Sequence, residues 1–99
     1  TIFVVCANYV RSMSRYGERG ILYGLEDATI ACTFMMLAAQ AQKLQSCWTG
    51  AFNDEEVREV LDLPPHIRPV SLLAVGRGVA ITERAGRMKS EDHVHRETW

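Results

Sequence analysis

A chain of 99 residues, 47% hydrophobic and 23% charged, has the make-up of one ordinary globular domain, and disorder is not indicated. A formal net charge of −1 offers no bulk attraction to nucleic acid. Cys6, Cys32 and Cys47, an odd number without a CxxC pair and each inside an apolar run, read as reduced, buried thiols of a cytoplasmic protein with no visible secretory signal.

In chain order, the run from Thr1 to Ala7, TIFVVCA, is of strand length and apolar without alternation. Such a strand is covered on both faces, and it is expected to be central in a sheet. The segment from Asn8 to Gly24 is polar and rich in glycine, so a short helical piece and then a turn are expected. Arg11, Arg15 and Arg19 would share one helix face there, as a solvated stripe or as a contact for phosphate or carboxylate.

The stretch from Leu25 to Leu44, LEDATIACTFMMLAAQAQKL, has no charge between Asp27 and Lys43. A helix apolar nearly all round is buried. Glu26 and Asp27 at its start and Lys43 at its end would suit the helix dipole. The uncharged run falls short of the roughly 18 residues of a membrane span, so no membrane partner is expected. A domain this small buries only roughly 60 to 70% of its unfolded surface, and one sheet cannot cover a helix on every side. The remaining cover would come from a partner subunit, admitted closely by Ala28, Ala31, Cys32 and Ala39, or from a missing part of the same polypeptide.

A second strand over Ser46 to Gly50 leads into WTGAF, and Asn53 with Glu56 has the form of a capping box opening a short helix whose buried face is Val57, Val60 and Leu61. Leu63-Pro64-Pro65 stops it. A third unbroken apolar strand runs from Pro69 to Val75, and residues 79–99 form a polar extended tail. The order is that of an α+β or α/β fold.

Self-contained catalytic motifs are missing: the sequence has no P-loop, GxGxxG, GxSxG or HExxH. His93, His95 and Glu97 lack a shell to fix a metal, so no metal site is expected. Arg84 and Arg87 flank Gly86 in a loop, where guanidinium forks would suit an anion or simply be solvated. Trp48, Thr49, Gly50 and Ala51 would let a flat ligand approach the backbone, or would hold a packed Trp in a turn.

Residues 23–78 resemble the C-terminal half of the nitroreductase-like flavoproteins: an Asp-headed Ala-rich helix, a Ser-Cys-Trp-x-Gly-x-Phe strand and turn, an acidic helix ending Leu-x-Leu-Pro, then a Pro-Val-x-x-Leu strand. The tail RMKSEDHVHRETW is similar to the family's ending. Glycines usual between the core helix and the next strand are here Lys43-Leu44-Gln45, and the family's N-terminal Arg-rich segment has no counterpart in these residues. The resemblance implies a nitroreductase-like sheet with a long buried central helix, present as a single partial domain over residues 1–99. It implies a homodimer through that helix, with the tail embracing the partner and a separate N-terminal chain or segment completing the site. It further implies FMN, with Trp48, Thr49, Gly50 and Ala51 against its ring and Arg87 on its phosphate, and NAD(P)H as electron donor. No side chain is expected to act as a catalytic acid or base. The alternative is a non-catalytic dimerising remnant that has lost FMN.

Overall fold

The structure, a computed structural model, describes residues 1–79 and 85–99. Its elements are β1 (Ile2–Asn8), α1 (Tyr9–Tyr16), α2 (Arg19–Ala41), β2 (Gln45–Thr49), α3 (Asp54–Leu61) and β3 (Ile67–Gly76), with a single 3₁₀ turn at Ser90–Asp92. This is the mixed helix and sheet fold that the apolar pattern implies.

The strands are antiparallel in the order β1-β3-β2. The centre is therefore β3, and β1, expected to be central, lies at an edge among the described residues. An unbroken apolar run reports cover above and below a strand and carries no information about its lateral neighbours. Opposed residues share a face. Phe3 and Trp48 flank Leu73 on one face, while Val4 and Thr49 flank Leu72 on the other. The core lies under the first face, where Leu73, Pro69, Ser71 and Cys32 are fully buried.

Asn8 starts α1, its side-chain oxygen accepting from the Arg11 N–H at 3.0 Å. Gly17, at φ +60°, turns the chain, and α2 begins at Arg19, well before Leu25. Gly20 is the close contact of the two helices: a Cβ there would stand 2.6 Å from the backbone of Ser12 and Met13. Because α2 starts early, Glu26 and Asp27 fall within its body, and Lys43 lies beyond its end. The expected match of charge to dipole is not formed, since the first turn holds no acid and the last no base.

One stripe of α2 is buried in the chain, Gly20, Gly24, Ala28, Cys32 and Ala39. Three of the small residues expected to admit a partner helix, Ala28, Cys32 and Ala39, instead seat α2 on its own sheet and on β1, because only small side chains allow a helix to lie that close to a strand. Ala31 is exposed. The outward stripe is Ile30, Phe34 and Leu37, exposed by 54%, 66% and 60%. Contrary to the shortness expected of the uncharged run, α2 is by length and composition alone able to cross a membrane, because the helix begins at Arg19 and reaches 23 residues.

Asn53 caps α3, accepting from the N–H groups of Glu55 at 3.0 Å and Glu56 at 3.4 Å, and its amide donates to the Glu56 carboxylate at 3.3 Å. The helix ends at Asp62 in the left-handed conformation, and the Arg58 guanidinium donates to the carbonyls of Pro64 and Pro65. Its expected buried face is only partly so: Val57 is half-buried, whereas Val60 is 83% and Leu61 45% exposed. A helix of two turns stands off the second face of the sheet, leaving a groove of about 270 Å³.

Candidate functional site

The turn after β2 is held at both ends, by the β2–β3 ladder up to Thr49 and by the Asn53 cap. Trp48 is half-buried on the α2 side of the sheet, opposite Leu73. Thr49, Gly50 and Ala51 are exposed. Among the described residues, a Cβ at Gly50 would meet only the Trp48 indole nitrogen, at 3.8 Å. Nothing among the described residues therefore requires glycine here. No backbone hydrogen bond among the described residues uses the N–H of Gly50 or Ala51 outside the ladder. Two N–H donors on a rigid turn, beside an indole edge and without a side chain in the way, fit the edge of a planar heteroaromatic ring. The flavin implied by the resemblance has such a ring.

Trp48, Thr49, Gly50 and Ala51 follow one another across the end of β2 and the turn after it. Arg87 is exposed, and its Nη1 donates to the carbonyls of Ala85 at 3.1 Å and Gly86 at 3.2 Å, both in its own loop. No hydrogen bond among the described residues joins it to the turn. Its guanidinium is a fork only partly engaged, which fits a phosphate by chemistry. Arg84 lies outside the described residues.

The arginine stripe divides at Gly17. Arg15 lies over the Tyr16 ring and Arg19 over the Tyr23 ring, each at 5.6 Å, and the Arg19 Nε donates to the Tyr23 hydroxyl at 3.0 Å. Arg11 and Arg15, with Asp27, line a cleft of about 440 Å³ at the junction of α1, α2 and β1. Sequence reasoning placed the arginines on one face and missed this cleft, because it forms from the packing of α1 on α2 and β1, which spacing along the chain does not encode. His95 lies against Trp99 with ring centres 4.5 Å apart, and among the described residues no three metal-ligating side chains gather. Of the three cysteines expected to be buried, Cys32 is, whereas Cys6 is half-buried and Cys47 is exposed because it faces away from α2. Burial pushes the Cys6 thiol above its ordinary pKa, with Arg58 pulling the other way.

Comparison with known proteins extends the likeness to most of the chain. The profile of the Nitroreductase family matches residues 1–77. The FMN reductase (NADPH) of Bacillus subtilis strain 168 is 29% identical, over 98% of this chain and 45% of its own length. Among solved structures, NfrA2 of B. megaterium superposes with a TM-score of 0.85 at 28% identity, covering 99% of this chain and 45% of that one. The NfrA1 nitroreductase of B. subtilis gives 0.84 at 27%, covering 98% and 45%. The chain spans about half the length of these relatives.

Proposed function

This chain belongs to the nitroreductase family, and on that premise we propose that it is the C-terminal part of an FMN-dependent oxidoreductase of nitroreductase type, taking electrons from NAD(P)H and delivering them to an organic acceptor. Residues 1–99 form one partial domain, completed by an N-terminal segment on the same or a separate polypeptide. The assembly is a cytoplasmic homodimer joined through the outward stripe of α2, without nucleic-acid or membrane partners. FMN, when bound, supplies the redox chemistry, and the protein supplies position and electrostatics.

The observation that carries the reading is the open backbone at Gly50 beside Trp48. Trp48 would wall one side of the ring, the N–H groups of Gly50 and Ala51 would be available to its edge, and Thr49 ends the strand that leads into them. Arg87 would hold the phosphate through its guanidinium fork. No side chain of this chain serves as a general acid or base.

The stripe Ile30, Phe34 and Leu37 is apolar and exposed at helical spacing, as a helix facing its symmetry mate is. Phe34→Asp is therefore expected to convert dimer to monomer in sedimentation velocity, with far-UV dichroism unchanged. FMN titration followed by flavin fluorescence tests the site, on the chain alone and joined behind the part of the B. subtilis relative that it does not match. The fused chain is expected to bind FMN, and Gly50→Val and Arg87→Ala to weaken binding at least tenfold. A fused chain that stays dimeric and binds no FMN would favour the non-catalytic remnant.

A further inference from the structure

Where α1 folds back on α2 and the end of β1, the cleft is lined by donors with little to donate to. Arg11 and Arg15 stand one helical turn apart on α1, both lining it. The ion pairs among the described residues engage Arg58, Arg68 and Lys89, and neither of these arginines. Hydrogen bonds from guanidinium groups among the described residues come from Arg19, Arg58 and Arg87, so both forks at the cleft are open. Arg15 is steadied over the Tyr16 ring at 5.6 Å, and Tyr16 stands edge-on to Tyr23 at 5.1 Å. The Asn8 side chain adds an amide whose oxygen accepts from the Arg11 N–H, and Ser12 adds a hydroxyl. Below these donors the floor is small and apolar, with Ala7, Gly24 and Ala28 buried. Arginines that only keep a helix wet need neither floor nor wall, whereas these two flank a concavity of about 440 Å³, within the size range of small-molecule sites.

We propose that this cleft binds a small organic oxyanion, a carboxylate or phosphate carried on a flat apolar body. The head group takes the guanidinium forks of Arg11 and Arg15, whose planar donor pairs match either oxyanion, and the Asn8 amide and Ser12 hydroxyl complete the donor set. The body lies over Ala7, Gly24 and Ala28 against the Tyr16 ring. A Cβ at Gly24 would come to 3.5 Å from Tyr9 and 3.8 Å from Ala7 and Ser12, which is ordinary contact. Packing therefore does not demand glycine at that point, and its missing methyl gives the cleft depth. Asp27, the one acid lining the cleft, sits on α2 and repels an anion, which keeps the head group toward α1. The site is separate from the flavin turn, since no residue from Trp48 to Ala51 lines it.

Isothermal titration calorimetry of the 99-residue chain with benzoate and with phenyl phosphate, and with benzamide as the uncharged control, tests the site. Saturable binding of at least one anion is expected, and none of benzamide; the anion that binds more tightly identifies the head group. Arg11→Gln and Arg15→Gln are each expected to raise Kd about fivefold, and Asp27→Asn to lower it about twofold, with far-UV dichroism unchanged in all three. Tightening on loss of Asp27 is a readout that a merely structural role would not move in that direction. A folded chain that binds neither anion, or binds them equally well without the two arginines, would overturn the proposal. So would loss of binding in the chain fused behind the unmatched part of the B. subtilis relative, because the domain itself would then fill the cleft. FMN retention by the fused Arg11→Gln protein is expected to be unchanged, and a fall would assign the arginine to the flavin instead of to a separate anion.

Discussion

The two faces of the sheet are made of similar residues and end differently. Under α2, Leu73 and Ser71 have no exposed surface, while on the opposite face Val60 and Ile2 remain open. One face is finished by a helix of 23 residues whose stripe of Gly, Ala and Cys lets it lie flat, the other by a helix of 8 that bridges little of the sheet. The difference shows that an apolar surface records how much cover a strand is built for, and not which stretch of chain provides it.

That contrast can be broken by substitution, with urea unfolding as the measure. Leu73→Ala on the finished face should cost about 3 kcal/mol, from lost transfer energy and the cavity left behind. Ser71→Ala should raise stability by about 1 kcal/mol, because the Ser71 hydroxyl is buried with no hydrogen-bond partner among the described residues. Lys43→Gly should gain about 0.5 kcal/mol, since Lys43 holds φ +60° just past the end of α2. Val60→Ala on the open face should change stability by less than about 0.5 kcal/mol. A Val60 effect comparable to that of Leu73 would mean that the faces are equally finished, and the account would fail.

Much of this was legible in the sequence, for identifiable reasons. The Asn53 cap, the stop before Pro64 and the three strands follow from local chemistry, and local chemistry decided them. The beginning of α2 was misplaced because Gly20 and Gly24 read as helix breakers, whereas tertiary contact with α1 and β1 makes their lack of a side chain an asset. The strand order depends on lateral hydrogen bonds that apolar pattern does not encode. For the site, the turn was legible because Gly50 sits among aromatics, and its open approach needed coordinates. Lys43 is instructive in the same way: the resemblance expects glycine there, and the backbone adopts the conformation that glycine would favour.

The central claim is that the turn from Trp48 to Ala51 positions a flavin for electron transfer from a nicotinamide. Its most direct test is anaerobic addition of NADPH to the fused, FMN-loaded protein while the flavin absorbance near about 450 nm is recorded. The account predicts that the band survives desalting and then bleaches, and that Gly50→Val suppresses both. A protein that loses its colour on desalting, or keeps an unbleached band under excess NADPH and NADH, would contradict it.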